Sequence, residues 1–462
     1  MERTIVHMDL DSFFISVERL LDSSLIGKPV IVGGTSDRGV VASCSYEARK
    51  FGVHSAMPSR MAKQLCPHAI FIRGDMDQYS KHSNIVTQII EGEAPLFEKA
   101  SIDEHYLEIT GMDKYVKNSM LWSHELREKI IKETGLPISF GLSENKTVSK
   151  IATSESKPNG EKQILHGLEK SFLAPLSIRK IPGIGEKTNS TLQKMGISKI
   201  ETIQNMPMLA MQKVLQENGA SIWRKANGID KSPIEPFTEQ KSMSKETTFD
   251  KDTTNAELLQ NMLVAMIDTL AFDLRKLQKV AGCITIKLKY SDFQTHTFQA
   301  TIPYTASDHV LLQKATELFQ KNYNRRVLIR LIGVKFSNLV SGFNQINLFD
   351  DTEEKINLYN ALDKIRLRFG ENAIGKAVGI KDKKIKTNMI LNGHSYYSLR
   401  YGTLSIKELI EIAKANQYNS IALTDINNTA GILHFVKACY DNSIKPIVGA
   451  EFRKGDELLF VA

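Results

Sequence analysis

The chain has 462 residues, 42% of them hydrophobic and 24% charged, which excludes disorder, collagen and low-complexity repeats as its main character. No apolar run reaches the roughly 18 residues of a membrane span, and acids stand where a signal peptide needs an apolar core. We therefore expect a cytoplasmic protein without a membrane anchor. The net charge of +8 permits a polyanionic partner without requiring one. Four cysteines without CxxC spacing argue against disulfides and structural zinc.

The first part of the chain interleaves predicted strands with predicted helices, which is typical of an α/β or α+β fold. A buried strand is predicted over 4–10 and leads into an amphipathic helix over 13–21, with Ser12 as its cap. Further strands are predicted over 28–32, 39–42, 100–110 and 136–142, and further helices over 82–90 and 121–133.

The remainder of the chain is predicted to contain a helical segment, a linker, an α+β module and a C-terminal piece. Residues 165–232 are predicted to be short helices, and the proline-containing stretch 230–244 is predicted to be a linker. Residues 245–340 are predicted to form a compact α+β module with strands over 282–290, 295–302 and 331–336. A basic run, 381–386, precedes a separate α/β-like piece that extends to Ala462.

Three carboxylates stand on or beside predicted strands. Asp9 lies on the first strand, and Asp103 and Glu104 lie on another. Buried acids are costly unless they are paired or bind a metal, and converging carboxylates suit two Mg²⁺ ions that share oxygen ligands with phosphates. Adjacent strand residues point to opposite faces, so Asp103 and Glu104 converge only at a strand end or bulge. By spacing alone, strand-edge acids that face water are the favoured interpretation, because acid pairs are common.

Two short segments carry candidate phosphate-binding groups. Tyr46, Arg49 and Lys50 stand together at the start of a predicted helix, and Lys157 lies in a loop beside a proline and a glycine. Cationic donors and hydroxyls are the groups that a triphosphate needs. Taken singly, these residues are equally consistent with a solvated helix face and an ordinary turn.

The ordered set of motifs resembles the Y-family translesion DNA polymerases, and within them bacterial DNA polymerase IV of the DinB type, over residues 1–387. The segments that carry the resemblance are MDLDSFFISVE, VASCSYEARKFGVHSAMPSRMAKQLCP, SIDEHYLEIT, SFGLSENKTVSKIATSESKPNG and IPGIGEKT. The resemblance implies a multidomain α+β fold of right-hand polymerase type. Its implied divisions are palm 1–10 and 75–164, fingers 11–74, a helical helix-hairpin-helix thumb 165–232, linker 233–241, α+β little finger 242–341 and clamp-binding tail 342–387.

The resemblance also implies roles for individual residues. It makes Asp9, Asp103 and Glu104 the catalytic metal ligands, with the backbone carbonyl of Leu10 completing the second ion's shell. It makes Phe14 the steric gate that excludes a ribose 2′-OH, and it makes the remaining substrate-binding residues Tyr46, Arg49 and Lys157. A small residue is common where this chain has His105, and the role of His105 stays open.

DNA and clamp contacts are expected in the later segments. Gly183 and Gly185 in IPGIG let backbone N–H groups approach a phosphate, and Arg325, Arg326 and Arg330 are candidate DNA contacts in a module with five more basic than acidic residues over 241–340. The segment QINLF resembles the peptide by which bacterial polymerases bind the sliding clamp (β subunit), through Gln345, Ile346, Leu348 and Phe349. A short strand capping the little finger is the alternative interpretation of QINLF.

Residues 388–462 instead resemble the start of the PHP domain of the bacterial replicative polymerase α subunit. His394, Asp425 and Glu451 match metal-ligand positions of that family. Asn392 replaces the usual first histidine, Ile426 stands where a histidine often follows the aspartate, and the chain ends before the later ligands. We expect a partial α/β piece without a catalytic metal site.

The resemblance implies a low-fidelity, template-directed DNA polymerase for translesion synthesis and DNA repair, without proofreading and with two Mg²⁺ ions per active site. Its expected partners are primer-template DNA, dNTPs and the sliding clamp, with the enzyme acting as a nucleoid-associated monomer in the cytoplasm. A clamp-tethered DNA scaffold without polymerase activity is the alternative. A PHP phosphoesterase is disfavoured because the ligand set is incomplete. Lesion specificity and the reason for the fusion are not predicted.

Overall fold

The computed structural model describes residues 3–461 except 113–117, 324–326, 343–352, 371–372, 375–388, 399–403, 416–417, 419 and 455–456. The chain divides into two compact units, Met1–Thr238 and Glu239–Ala462. All four cysteines are buried and none forms a disulfide. No helix in the described ranges is long and apolar enough to cross a membrane.

The first unit alternates strands and helices before ending in a run of short helices. In chain order its elements are β1 (Ile5–Leu10), α1 (Phe13–Leu21), β2 (Val30–Gly33), β3 (Val41–Cys44), α2 (Tyr46–Arg49), α3 (Ser59–Leu65), β4 (Ile70–Ile72), α4 (Met76–Glu93), β5 (Leu96–Lys99), β6 (Glu104–Glu108), α5 (Ser119–Thr134), β7 (Ile138–Ser143), α6 (Lys146–Ser156), β8 (Glu161–Gln163), α7 (Glu169–Leu173), α8 (Glu186–Lys194), α9 (Ile200–Gln204), α10 (Met208–Leu215) and α11 (Glu217–Ala226).

The largest sheet of this unit has the order β5-β6-β1-β7-β8, with β1 antiparallel to both of its neighbours. Side chains alternate along β1 because successive strand residues point to opposite faces. Val6, Met8 and Leu10 pack into a core shared with α1, α4 and α5. His7 and Asp9 point the other way, toward α6.

Helix α6 lies unusually close to the sheet at Gly141 of β7. A Cβ atom at this position would lie 2.3 Å from the carbonyl oxygen of Ser149. Glycine is therefore required for α6 to cover this face of the sheet. Because of this close approach, side chains of α6 and of the loop after it can reach His7 and Asp9.

Two smaller substructures complete the first unit. Strands β3, β2 and β4 form a three-stranded sheet, which packs with α2 and α3 around Ile31, Val41 and Ala62. Helices α7 to α11 surround a core rich in isoleucine, including Ile178 and Ile203. The alternation of sheet and helix in this unit confirms the predicted α+β fold.

The second unit contains two sheets with their own helices. Its elements are β9 (Ser242–Thr253), α12 (Ala256–Lys276), β10 (Lys279–Tyr290), β11 (Thr295–Thr305), α13 (Asp308–Asn322), β12 (Ile329–Ser341), α14 (Glu353–Phe369), β13 (Met389–Gly393), α15 (Ile406–Ala415), β14 (Ser420–Ile426), α16 (Ile432–Asp441), β15 (Lys445–Lys454) and β16 (Glu457–Val461).

The first of these sheets is antiparallel, in the order β11-β10-β12-β9. Ile284, Ile286 and Leu288 of β10 are buried in one core with α12 and α13, whereas Lys287 and Lys289 alternate with them and point to the opposite face. The second sheet has the order β13-β14-β15-β16 and packs with α15 and α16. Its first three strands are parallel, which is consistent with an α/β fold.

Three sequence expectations differ from the structure. Ser12 precedes α1, but its left-handed backbone (φ 43°, ψ 47°) differs from the extended conformation of a capping residue, and its side chain makes no cap hydrogen bond. The strand expected over 100–110 begins only at Glu104, because 101–103 form a turn. The last residues of the expected linker, from Ser242, form the start of the edge strand β9. The many polar side chains of β9 hide the apolar alternation that would predict a strand.

Candidate active site

Two carboxylates face each other at the centre of the large sheet. Asp9 of β1 and Glu104 of β6 are direct cross-strand partners. Asp103 precedes β6 in the turn, where its carbonyl oxygen accepts a hydrogen bond from the Leu10 N–H at 3.0 Å. The three predicted ligands thus lie at neighbouring backbone positions, with Asp103 and Glu104 at the start of β6.

The turn at Asp103 is held by Ser101. The Ser101 hydroxyl accepts hydrogen bonds from the N–H groups of Asp103 (3.3 Å) and Glu104 (3.1 Å), and it donates to Asp103 Oδ1 at 2.5 Å. This local network fixes the backbone where strand geometry is interrupted. It orients the Asp103 carboxylate independently of the alternation along β6.

Each cross-strand carboxylate contacts a different lysine. Lys157 Nζ donates to Asp9 Oδ1, and Lys150 Nζ of α6 lies 2.7 and 2.6 Å from the two oxygens of Glu104. Burial raises the pKa of Asp9 to about 7, although the Lys157 ammonium opposes this shift. Burial alone would also raise the pKa of Glu104, but His7 and Lys150 outweigh it and lower this pKa to about 2.

His7 lies beneath this pair and was not singled out by the sequence motifs. It is fully buried, and its Nε2 lies 4.0 Å from Glu104 Oε2. Its Nδ1 is hydrogen-bonded to the Thr153 hydroxyl of α6 at 2.8 Å. Burial lowers the pKa of His7, so the ring is neutral beside the carboxylate. The sequence signal for His7 is its position two residues before Asp9 in HMD, because residues two apart on a strand lie on the same face.

Asp11 is a second residue that the sequence motifs did not single out. It is 1% exposed, and its Oδ2 accepts hydrogen bonds from the Ser139 hydroxyl at 2.8 Å and the Asn159 N–H at 2.6 Å. Its Oδ1 accepts from the Tyr46 hydroxyl at 3.4 Å and lies 3.7 Å from Lys157 Nζ. Asp11 therefore joins the Lys157 loop to Tyr46.

The predicted nucleotide-binding residues lie around Asp11. Tyr46 and Arg49 occupy the single-turn helix α2, and the Arg49 guanidinium lies 5.1 Å from the centre of the Tyr46 ring. Arg49 Nε also donates to the Cys44 carbonyl oxygen at 3.3 Å. Burial raises the pKa of Tyr46 to about 12, so its hydroxyl remains a hydrogen-bond donor. Tyr46 and Lys157 are thus linked through Asp11, and Arg49 lies against the Tyr46 ring.

Phe14 stacks on a buried tyrosine. Its ring lies 4.3 Å from that of Tyr79, with an interplanar angle of 12°. Tyr79 is itself fixed, because its hydroxyl donates to Glu18 Oε1 at 2.5 Å. Phe14 is half-buried, whereas its neighbour Phe13 is in the core. This arrangement makes Phe14 a fixed, partly exposed ring in the first turn of α1.

His105 points away from the carboxylates. It is fully buried, and its Nε2 is hydrogen-bonded to the Thr87 hydroxyl of α4 at 2.9 Å. Burial lowers its pKa to about 3, so the ring is neutral. His105 packs beneath the sheet on the side opposite to Glu104 and does not reach the carboxylate site.

The two glycines predicted to contact the DNA backbone lie in an open turn before α8. Gly183 has a left-handed φ of 105°, and Gly185 caps α8. A Cβ atom at Gly185 would meet nothing within 4 Å, so the turn leaves its backbone accessible. Lys225 Nζ donates to the Pro182 carbonyl at 3.0 Å and adds positive charge beside the turn.

The second unit places Arg330 beside an exposed aromatic ring. The guanidinium of Arg330 and the ammonium of Lys289 lie 4.8 and 4.9 Å from the centre of the Phe293 ring. Phe293 is 61% exposed. Arg325 and Arg326 lie outside the described residues, as do the predicted clamp contacts Gln345, Ile346, Leu348 and Phe349.

The residues at PHP ligand positions are engaged with protein groups. Asp425 is buried, and it accepts hydrogen bonds from the hydroxyls of Ser395 (2.7 Å) and Ser398 (2.6 Å). Glu451 is also buried, contacts Arg453 Nε and lies 3.4 Å from His394 Nε2. An arginine and two serines thus satisfy these acids where a metal would otherwise be needed.

The donor chemistry of the carboxylate site fits hard divalent cations. Asp9, Asp103 and Glu104 offer carboxylate oxygens, and Leu10, which directly follows Asp9, offers its backbone carbonyl oxygen. The same carboxylates already attract the ammonium groups of two lysines, which shows that the site favours positive charge. The carboxylates are not packed as closely as the tightest acid clusters of the described chain, whose ligand atoms lie within 4.8 Å of one another.

Comparison with known proteins assigns the class. The impB/mucB/samB family matches residues 8–154, and its C-terminal domain matches residues 240–348. The thumb domain of DNA polymerase iota matches residues 179–230, and the PHP domain matches residues 391–458. A solved Y-family DNA polymerase chimera of Dbh and Dpo4 superposes with a TM-score of 0.67 at 27% identity, covering 73% of this chain and all of that one. DinB from Sulfolobus solfataricus gives a TM-score of 0.52 at the same identity and coverage.

The fold and the site therefore define a right-hand polymerase with palm, fingers, thumb and little finger, followed by a PHP-like piece. DNA polymerase IV of Dehalococcoides mccartyi strain CBDB1 is 38% identical over 386 residues, which is 82% of this chain and 99% of that protein. DNA polymerase IV of Listeria innocua serovar 6a is 37% identical over 339 residues, 73% of this chain and 95% of that protein. The chain belongs to the DNA polymerase IV family.

The chain is accordingly a DNA-directed DNA polymerase of the translesion class. Primer-template DNA and dNTPs are its substrates, and its chemistry depends on a divalent metal ion. The predicted family, fold class and enzyme activity are confirmed. The homologues support the polymerase function rather than the scaffold alternative.

Proposed function

We propose that Asp9, Asp103 and Glu104 are the catalytic carboxylates and that, with the Leu10 carbonyl, they hold two Mg²⁺ ions. The observation that carries the proposal is the direct pairing of Asp9 with Glu104 across β1 and β6, with Asp103 in the adjoining turn. When bound, the ions would stabilise the attacking and leaving oxygens of phosphoryl transfer. The primer 3′-OH then attacks the α-phosphate of a dNTP, and pyrophosphate leaves.

The chain's own contribution to this reaction is positioning and charge neutralisation. Tyr46, Arg49 and Lys157 hold the triphosphate, because they are hydroxyl and cationic groups linked to one another through Asp11 and the Tyr46 ring, and Lys157 also contacts Asp9. Asp11 is a positioning residue for Tyr46 and for the loop that carries Lys157. Phe14, fixed by its stack on Tyr79, occupies the place of a ribose 2′-OH and selects deoxynucleotides.

DNA is held by backbone and basic groups in separate segments. The turn at Gly183 and Gly185 offers N–H groups to a phosphate, and Arg330, with Arg325 and Arg326, contributes positive charge from the little finger. The sliding clamp binds the segment Gln345, Ile346, Leu348 and Phe349, whose apolar residues follow the little finger in a polar stretch. The enzyme acts as a monomer at the nucleoid, with the palm, fingers, thumb and little finger divided as predicted from the sequence.

Primer extension tests the carboxylate assignment. The full chain and Asp103→Ala are compared on a primed template with dNTPs and Mg²⁺, with Asp37→Ala, an exposed acid of the first unit, as the matched control. We expect extension by the wild type and Asp37→Ala, and a loss of at least about 10³-fold in Asp103→Ala. Equal extension by Asp103→Ala would overturn the assignment. The Mg²⁺ requirement is checked by EDTA treatment followed by titration with Mg²⁺ and Ca²⁺.

A further inference from the structure

Glu144, His166 and Glu169 form a cluster away from the polymerase carboxylates. One ligand atom from each residue lies within 4.8 Å of the others. Glu144 follows β7, His166 follows β8, and Glu169 is the first residue of α7. His166 Nδ1 directly contacts Glu144 Oε1, and the imidazole side chain is 60% exposed, which leaves the cluster accessible from solvent.

Glu169 is the unusual member of this cluster. It is 7% exposed, and its Oε1 has no hydrogen-bond partner among the described residues. Within the same residues, neither Glu144 nor Glu169 forms an ion pair with a lysine or arginine. A buried carboxylate oxygen without a partner costs free energy, and a bound cation would offset this cost.

A second cluster of similar composition provides an internal comparison. His124, Glu128 and Glu161 also offer ligand atoms within 4.8 Å of one another. Here, however, Arg127 Nη1 lies 2.5 Å from Glu128 Oε1 and 3.1 Å from Glu161 Oε1, and His124 Nδ1 is 2.7 Å from Glu161. The arginine already neutralises these acids, so a cation would have to displace it.

We propose that Glu144, His166 and Glu169 bind one divalent transition-metal ion of the Zn²⁺ type. One imidazole nitrogen and carboxylate oxygens are ligands that Zn²⁺ accepts and that Mg²⁺, which prefers oxygen alone, does not select. The ion ties the loop after β7 to the start of α7. The neighbouring contacts make the same connection, since Asn145 Nδ2 donates to the Gly228 carbonyl at 2.9 Å and a Cβ atom at Gly228 would lie 2.7 Å from Glu169 Cβ.

The site thus crosses the predicted boundary between palm and thumb at 164/165. Glu144 belongs to the predicted palm, and His166 and Glu169 belong to the predicted thumb. A metal ion at this place fixes the first thumb helix to the sheet that carries Asp9. The inference goes beyond the polymerase reaction and does not depend on which residues perform it.

Calorimetric titration with Zn²⁺ tests the proposal on the full chain after dialysis against EDTA. The buffer contains millimolar Mg²⁺, so that sites made only of oxygen ligands are already occupied. The variants are Glu169→Gln and His166→Asn, with His124→Asn of the arginine-neutralised cluster as matched control. Far-UV circular dichroism checks that each variant is folded, and exposed His166 keeps the test interpretable if Glu169→Gln fails to fold. The Co²⁺ absorption spectrum, measured in parallel, reports nitrogen ligation directly.

We expect the wild type and His124→Asn to bind the same number of Zn²⁺ ions, and Glu169→Gln and His166→Asn to bind one fewer or to bind it at least about tenfold more weakly. Zn²⁺ is also expected to raise the melting temperature of the wild type by more than that of either variant. Identical titrations for all four proteins would overturn the proposal. A loss confined to His124→Asn would also overturn it, because the ion would then occupy the other cluster.

Discussion

Asp9 and Glu104 are direct partners across β1 and β6, yet they are neutralised by different lysines from different segments. Lys150 reaches Glu104 from α6, and Lys157 reaches Asp9 from the loop that follows this helix. The helix comes this close because β7 has glycine at 141. Both lysines that face the paired carboxylates therefore come from one helix and its C-terminal loop.

Lys150→Ala removes the cation from Glu104 and is expected to lower the rate of primer extension about tenfold. The reason is that the loss of one partner of a charged hydrogen bond costs about 1.5–3 kcal/mol. Single-turnover kinetics measures the change. Lys146→Ala is the matched control on the same helix, because Lys146 pairs with Glu98 and not with the carboxylate site. An equal loss of rate in both variants would show that α6 acts only through stability.

Asp11→Asn is expected to raise KM for dNTP more than it lowers kcat. The substitution removes the negative charge facing Lys157 Nζ and replaces one carboxylate oxygen by an NH2 group, so either the Tyr46 hydroxyl or both donors to Oδ2 lose their acceptor. The cost in stability is expected to be about 1–3 kcal/mol. Steady-state kinetics and urea unfolding measure the two effects. Unchanged KM with reduced stability would limit Asp11 to a structural role.

Phe14→Ala is expected to increase incorporation of ribonucleotides relative to deoxynucleotides by at least about tenfold. Removing the ring that stacks on Tyr79 opens space for one additional hydroxyl. The ratio of kcat/KM for a matched rNTP and dNTP pair measures the change. Phe13→Leu is the control, because Phe13 is buried in the core, and this variant should lose stability while retaining sugar discrimination.

Arg330→Gln is expected to weaken binding of primer-template DNA and to lower the slope of log K against log salt concentration by about 1. Arg330 is proposed to contact a DNA phosphate, and phosphate contacts are electrostatic and independent of base sequence. Fluorescence anisotropy at several salt concentrations measures the slope. Lys314→Gln on α13, where Lys314 pairs with Glu317, should leave the slope unchanged.

Ser398→Ala is expected to destabilise the PHP-like piece by about 1–3 kcal/mol, because the Ser398 hydroxyl donates to buried Asp425 at 2.6 Å and accepts from the Ile426 N–H at 2.9 Å. Primer extension should be unaffected, since the carboxylate site lies in the first unit. Hydrogen exchange of β14 amides measures the local effect. A parallel loss of extension would indicate that the PHP-like piece supports the polymerase.

The fold class could be predicted from the sequence, and so could the requirement that Asp103 and Glu104 lie at a strand end or bulge if their side chains are to converge. These features depend on short-range rules, since a strand cannot direct two neighbouring side chains to one face. The order of the motifs along the sequence also indicates the polymerase family without a structure. The strand β9 was missed because an edge strand with many solvent-facing residues lacks a clear apolar alternation.

Only the tertiary structure decided which groups surround those carboxylates. Lys150 and His7 contact Glu104, Asp11 joins Tyr46 to the Lys157 loop, and His105 turns away from the site. The partners are separated by tens of residues in sequence, and their meeting depends on the register of β1 and on the closeness of α6 to Gly141. Such contacts cannot be predicted from spacing along the chain, because they depend on long-range packing.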